Sequence, residues 1–558
     1  MSALRSFQQL NAGTVPGGVV QVPRSYQPDV DRALMEANAR EFEFPASSST
    51  FQATQTSQVL IPQAMNRYIL GGSLYLQFSL EVTCDKTGGP ESLLYFTGGP
   101  TKSAAAVIDR MTISSSGGAI LADIQNYANW HNLVLAHSSN VGYKHDASIL
   151  EYAYTGIGTV PAGTIAGVKH KVDISLPISI GLFNQVKAFP LWACNGPLVI
   201  NIVWAPDVNC LGICDVREKT STTAGTTTPT DLAALAITQA TTSPFGVSEI
   251  RIPAIAIGAG LVSSTFATDT DPTSLTLTYS GSALVVRCMC ADVDSEYIAE
   301  QRAQMAQGKL LTYHYEDVRS MQTNSGGASI NFGVNCSSLI SVFGMQQLAS
   351  DRKQQASVGT QAYGEDCKGS WGWSQNLVQN IRVFRDGTQL STFPLMQSGK
   401  DDAFAPLQSA LGILFSTSNS TQCKRYDGGR FAPGLADNAR NARQSQSASL
   451  TANTSSSFEL PPAWAPTRTG WTGTGASPDK HFGGGSIYAP SAFCWGLSAR
   501  KCNDADISNP GTAVSQLQLT VDGNVGSAVS NTNSIHYIYY VYHASASFDM
   551  SGNIAVRR

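Results

Sequence analysis

Charge is the scarcest ingredient of this 558-residue chain: Asp, Glu, Lys and Arg make up 14% of it, against about 25% in an average soluble domain. Long solvated helices and coiled coils are built on Glu and Lys, so the shortage argues against both. The 36 basic residues are outnumbered by 40 acidic ones, which leaves no basic excess of the kind a dedicated nucleic-acid binder carries. No apolar run reaches the ~18 residues of a membrane-spanning helix; Leu284–Cys290 and Ile535–Val541 are short and alternate like strands. The segment Met1–Leu10 lacks the apolar centre of a secretory signal, about 7–15 residues long. What fills the space left by charge is Gly, Ser and Thr, with 50 Gly, while a hydrophobic fraction of 42% is enough for substantial cores. A disordered chain would be poorer in apolar residues or richer in charge. These numbers describe a β-rich globular protein with a polar, weakly charged surface.

Motifs that carry chemistry are also scarce. There is no GxxxxGK[ST], GxSxG, HExxH or EF-hand loop. Gly156-Ile-Gly158 lacks the third glycine and the strand–helix setting of a dinucleotide loop, and reads as a turn. The 11 Cys are scattered, whereas a disulfide scaffold is shorter and denser. Cys288 and Cys290 stand two apart in a strand pattern and share a face; Cys210 and Cys214 form the other close pair. Neither has two further ligands at zinc spacing, so the cysteines read as reduced structural thiols of a reducing compartment. His131, His137, His536 and His543 read as packed side chains, and Asp401-Asp402 and Asp292/Asp294 as solvated loop and helix cap. Asn335, Asn419 and Asn453 match the glycosylation pattern by chance, and Arg440 and Arg443 are too sparse for a nucleic-acid patch. Neither catalytic residue, cofactor nor metal is expected.

The pattern along the chain is one of strands. Residues 1–48 read as an N-terminal arm broken by Pro and Gly, with a short helix expected at Asp29–Arg40. Leu74, Leu76, Phe78, Leu80 and Val82 alternate with polar residues at a strict period of two. Val107–Ser114 and Ala119–Ile124 flank Ser116-Gly117-Gly118 as a hairpin, and Asn126–His137 switches to helical spacing. Strands are expected again at Val172–Ile178, Leu198–Trp204, Ile250–Ile257, Leu275–Tyr279 and Leu284–Cys290, with Thr220–Thr242 as a surface loop. Asp294–Gln307 is the most helical stretch, capped by Asp294 and ended by Gly308. A domain boundary is placed there: 49–293, then 294–558. In the second part Ile330–Cys336 alternates, Asp386-Gly387 marks a tight hairpin, Ala403–Phe415 reads as a short helix, and 418–490 as a long loop insertion. Closing strands lie at Gln516–Val521 and Ile535–Ser547. The halves share a plan, which fits two consecutive antiparallel sandwiches, an all-β fold.

One strand is unusual. Ile535, Tyr537, Tyr539 and Val541 lie on one face, and Ile538, Tyr540 and Tyr542 on the other. A strand buried on one side should alternate with polar residues. Here a cover is needed on both sides, either the other half of the chain or a neighbouring subunit, which makes Tyr540 and Tyr542 candidate subunit-interface residues.

The order of segments resembles the double-jelly-roll major capsid proteins of polinton-like viruses and virophages. The residues that carry the resemblance are Ala106–Tyr127, a hairpin and then a Tyr-bearing helix; Ile174–Phe183; and Phe189-Pro190-Leu191 followed by Asn195–Trp204. Cys336–Phe343, Ile381–Pro394 and the tail Ser551-Gly552-Asn553 continue it, and it spans about residue 50 to the C-terminus. The insertion at 418–490 and the Thr-rich loop have no counterpart. The resemblance implies two eight-stranded jelly rolls side by side and no active site. It also implies a homotrimer of pseudo-hexagonal outline that meets neighbouring capsomers, penton and minor capsid proteins in an icosahedral virion shell around double-stranded DNA. Such a subunit is made in the cytoplasm or nucleus of a host cell and reads no DNA sequence. Two rival classes remain. A β-sandwich adhesin or carbohydrate-binding fibre would use Trp371, Trp373, Trp464 and Trp471, and a jelly-roll glycoside hydrolase would need two carboxylates across one cleft. Substituting Asp for Tyr540 or Tyr542 separates the two covers of the aromatic strand: folded monomers in sedimentation mean a subunit contact, and unfolding means an internal strand.

Overall fold

A computed structural model describes residues 38–215, 274–348, 378–391, 404–412, 494–500, 511–523 and 534–558, apart from short breaks in loops, together with a small ribbon at 221–228. Eight principal strands, with shorter ones beside them, build the first unit: β1 (Asn38–Pro45), β2 (Thr56–Ile61), β3 (Tyr75–Thr87), β4 (Ile108–Ser115), β5 (Ile120–Gln125), β6 (Ile165–Pro177), β7 (Leu198–Trp204) and β8 (Ser274–Asp292). One sheet runs β1-β8-β3-β6 and the other β2-β7-β4-β5, every neighbour antiparallel. First beside last, third beside sixth, second beside seventh and fourth beside fifth is the strand order of a jelly roll.

The second unit repeats that order by a different local route. Its strands are β9 (Leu311–Asn324), β10 (Ser329–Leu348), β11 (Val378–Arg385), β12 (Thr388–Gln389), β13 (Cys494–Ser498), β14 (Thr512–Gly523) and β15 (Ser534–Phe548), with β16 (Ile554–Arg557) added along β15. The sheets are β9-β15-β10-β13 and β10-β14-β11-β12. Strand β10 belongs to both. Its first part, from Ser329 to Leu339, pairs with β14, and its last part, from Ser341 to Leu348, with β15. Register shifts between Gly333, Cys336 and Leu339 turn the corner, with Asn335 in the left-handed region at φ 45°. Bulges let one strand cross from one sheet to the other. In both units a helix lies between the fifth and sixth strand positions: α1 (Tyr127–His137) in the first, α3 (Phe404–Ala410) in the second. Between the units, α2 (Ser295–Ala306) joins β8 to β9 and ends at Gly308, φ +87°.

The alternation in the sequence becomes the two sides of each sheet. Along β3, Leu76, Phe78, Leu80, Val82 and Cys84 are buried, and the residues between them are not. Leu198, Ile200, Ile202 and Trp204 do the same on β7. Phe51, on a short strand paired antiparallel with β8, stacks on Trp204 with ring centroids 3.7 Å apart, and Phe78 meets Trp204 edge-on at 5.5 Å. Gly281 makes that possible, because a Cβ there would stand 1.9 Å from the Phe51 ring.

Two expectations change. Asn38–Pro45, placed in an arm with helix up to Arg40, is the outer strand of the first sheet, in register with β8 from Asn38↔Asp292 to Pro45↔Val285. The Glu41-Phe42-Glu43-Phe44 alternation outweighs the helical spacing before it: Phe44 is buried, and Phe42 lies 3.9 Å beneath the Arg67 guanidinium. The strands expected at Leu275–Tyr279 and Leu284–Cys290 are one strand, bent where Ala283 takes φ 55°. The Thr-rich loop carries a ribbon of Ser221–Thr223 with Thr226–Thr228. The rest of that loop, the Ile250–Ile257 strand, Asp294, most of the arm and the 418–490 insertion lie outside the described residues. Phe51→Ala removes the ring stacked on Trp204 and is expected to lower folding stability by about 3–5 kcal/mol, read as a shifted urea midpoint.

Candidate functional site at the seam between the two units

The place where chemistry is most concentrated is the seam where the two units meet. Strand β5, the last of its sheet, lies beside β9, and the two are tied at Ser320: its Oγ accepts from the Gln125 amide at 2.9 Å and donates to the Gln125 carbonyl at 2.6 Å. The next residue, Asn126, starts α1 in the left-handed region, and its carbonyl accepts the Tyr539 hydroxyl at 2.8 Å. One turn into α1, Trp130 packs on Tyr539 and Phe343, at 5.6 and 5.9 Å between ring centres. Tyr313 donates to the Leu182 carbonyl at 3.0 Å, and Tyr315 to the Leu121 carbonyl at 2.8 Å. Phe189 fits edge-on between Tyr313 and Phe548. A buried tyrosine supplies a large apolar ring and one donor that must be satisfied, and these find backbone acceptors on the opposite unit.

Backbones also meet directly. A Cβ on Gly181 would stand 1.7 Å from the Glu316 carbonyl, and one on Gly552 (φ +76°) 2.7 Å from the Asn195 nitrogen. The Asn195 amide donates to the Gly552 carbonyl at 2.8 Å, and Arg558 donates to the Ile120 carbonyl at 3.1 Å. The buried apolar residues of both units form one continuous cluster. An interface between domains is ordinarily the more polar and mobile kind; this one is a core.

Tyr540 and Tyr542 lie inside the chain, 6% and 1% exposed. Of the two covers open to this strand, the chain's own packing is present in the single chain. Tyr542 donates its hydroxyl to Asp317, and Arg319 and Arg558 lie close by. Asp317 is fully buried, and desolvation pushes its carboxyl up from 3.8 to about 6, although the Tyr542 hydroxyl and the Val318 amide favour its charged form. Sequence reading passed over this residue, yet its signal is there. Asp317 and Arg319 continue the inward-facing series of Tyr313 and Tyr315 on β9, where a charge is out of place.

The histidines are packed groups. His131 Nε2 lies 2.6 Å from Glu151 and its Nδ1 2.7 Å from Ser179 Oγ, while Ser103 donates to the same Glu151 oxygen. That set of residue types suits acyl transfer, but His131 and Glu151 are 3% and 0% exposed, which leaves a substrate no room beside them. The cluster instead holds α1 in place: Trp130 donates to the Ser179 carbonyl at 2.7 Å, and the Ser179 amide to Tyr127 at 2.9 Å. His137, on the same helix, contacts Cys494 of β13 at 3.1 Å, another tie across the seam. Asp292 is paired with Arg67 at 2.8 Å and Arg40 at 3.1 Å, and the Arg67 hydrogen bond holds its carboxyl below the ordinary range. Asp401, Asp402 and the four candidate sugar-stacking tryptophans lie outside the described residues. Among the described residues no group of three His, Cys, Asp or Glu is placed to hold a metal ion, and no helix is long and apolar enough to cross a membrane.

Set beside known proteins, the chain matches no family model and no curated sequence. Solved structures are similar over nearly its whole length. A chain of the Sputnik virophage, solved by cryo-EM, has 11% identity and a TM-score of 0.47, over 97% of this chain and 93% of that one. The Faustovirus major capsid protein has 8% identity and a TM-score of 0.44, over 98% of each chain. The mavirus major capsid protein has 10% identity and a TM-score of 0.42, over 97% of this chain and 96% of that one.

Two buried groups on neighbouring strands make stability depend on pH in opposite senses. Asp317, raised to about 6, keeps a proton in the folded chain that the unfolded chain gives up, so its contribution is complete below 3.8 and is lost as pH rises through about 6. Burial lowers His536 from 6.5 to about 4; its contribution is complete above 6.5 and is lost as pH falls through about 4. Each slope is about 1.4 kcal/mol per pH unit, and between them they largely offset. Relative to the wild type, Asp317→Asn is expected to lose stability on acidification from pH 6 to 4.5, and His536→Asn to gain it, in urea titrations at stepped pH.

Proposed function

We propose that this chain is the major capsid protein of a double-stranded DNA virus, which assembles as homotrimers that tile an icosahedral shell with neighbouring capsomers. The observation that carries the reading is two jelly rolls of one strand order, held in a fixed mutual position by a core-like seam. Three copies of a rigid two-sandwich subunit bring six similar sandwiches around one axis, which is how a trimer acquires a six-cornered outline and packs in a hexagonal lattice. Rigidity matters because closed symmetry requires the same contact angles at every copy. The motifs from Ala106–Tyr127 to Ile381–Pro394 support the same reading. So does the low charge: surface enclosed by trimer mates and lattice neighbours would make unpaired charge costly.

In this reading the chain performs no turnover, and its function is affinity and geometry over large interfaces. Penton and minor capsid proteins would meet the trimer at special lattice positions, and the finished subunit resides in the virion. Sedimentation and negative-stain microscopy of the purified chain test it. Trimers with hexagonal outlines, or shells, are expected; a chain that stays a folded monomer at high concentration overturns the reading.

A further inference from the structure

Cys288 and Cys290 are the one pair of sulfur atoms in contact among the described residues. They point to the same face of β8 with sulfurs 3.5 Å apart, and both are fully buried. Residues two apart in an extended strand are about 6.4–6.8 Å apart at Cα, the upper end of the span a disulfide bridges, about 4.4–6.8 Å. Bond formation requires the sulfurs, now 3.5 Å apart, to close to about 2.05 Å. A hydrogen bond between the two sulfurs, with the Arg67 guanidinium nearby, holds the Cys290 thiol below its ordinary value and Cys288 above it. Their cover is thin at one edge: β1 is the outer strand, with Phe42 opposite Cys288 and Arg40 opposite Cys290. Opening an outer strand costs less than global unfolding. Cys84, Cys194, Cys210, Cys336 and Cys494 are free, buried thiols that burial pushes up.

We propose that Cys288 and Cys290 are a reversible redox pair, oxidised to an intrastrand disulfide by low-molecular-weight disulfides of the glutathione class. Cys290 loses its proton, and its thiolate attacks one sulfur of oxidised glutathione; that disulfide breaks, and one glutathione leaves as a thiolate and takes up a proton. Cys288 then loses its proton and attacks the Cys290 sulfur of the mixed disulfide, and the second glutathione leaves in the same way. The two protein thiols give up two electrons and two protons, and one oxidised glutathione becomes two reduced ones. Closure across an extended strand strains the new bond, which places it among the readily reduced, labile disulfides. The pair responds to passage between a reducing and an oxidising medium, and it does so whether or not the chain forms a shell.

The test is to equilibrate the full chain in glutathione buffers of rising oxidised fraction, quench with acid, alkylate with iodoacetamide in denaturant and map the peptides by mass spectrometry. In the wild type, alkylation at Cys288 and Cys290 is expected to be lost together, with loss of the mass of two hydrogens, and to return with dithiothreitol, while the buried Cys84, Cys194, Cys210, Cys336 and Cys494 stay alkylated. Cys288→Ser is expected to accumulate glutathione on Cys290 instead. Full alkylation of both residues at every ratio, glutathione persisting on Cys290 of the wild type, or pairing of either residue with another cysteine would each overturn the proposal.

Discussion

The tyrosine-rich packing between the two sandwiches is the constraint on which the rest of this molecule depends. Each jelly roll could bury its own apolar faces, but neither buries its edges. Strands β5 and β9 resolve this by lying side by side, with Ser320 bonding both backbone groups of Gln125. Around that line Tyr313, Tyr315 and Tyr539 each deliver a ring to the shared core and a hydroxyl to a carbonyl of the first unit. An interface of this kind resists both sliding and rotation. Sliding would strand three donors in a dry environment, and the close approach at Gly181 leaves no slack for a turn. The C-terminal segment closes the arrangement by placing Gly552 on Asn195 and Arg558 on Ile120.

The two units reach one strand order through different local chemistry. In the first, separate strands occupy the second and third positions; in the second, β10 serves both by turning a corner at successive bulges. The corner costs a left-handed Asn335 and some ladder hydrogen bonds, and saves a connecting loop. The seam helix α1 has its own support in the buried His131–Glu151–Ser103 cluster, whose polar atoms satisfy one another. Buried polar networks of this kind specify one packing where an apolar contact would accept several.

Charge is scarce in the composition but pointed in its placement. Asp317 and His536 are both buried on neighbouring strands, and their proton linkages run in opposite directions over much the same pH interval. That pairing flattens the pH dependence of a core that carries titratable groups. Among the described residues, exposed pairs such as Glu81–Lys169 and Glu43–Arg287 lie on the first sheet, where solvent keeps their energetic worth small.

The strands of this fold were largely legible in the sequence, because a period of two reports burial on one face whatever lies beyond it. The Leu74–Val82 and Leu198–Trp204 alternations, the Ser116-Gly117-Gly118 and Asp386-Gly387 hairpins and the α1 and α2 helices all stand where local pattern places them. The aromatic strand at Ile535–Val541 announced that both its faces are covered, but not by what. Only the folded chain decided that, since a cover is a long-range partner and periodicity is a local property. The same limit hid Asp317, Glu151 and the seam glycines: their roles arise from atoms tens to hundreds of residues away along the chain. At β1 two local signals competed, helical spacing before residue 40 and Glu-Phe alternation after it. The free edge of β8 chose between them, because an unpaired row of backbone donors and acceptors rewards a strand and gives a helix nothing. Sequence alone thus determined which segments would be strands and which residues would face inwards; tertiary structure determined which strand each would meet, because hydrogen-bonded neighbours in a jelly roll lie far apart along the chain.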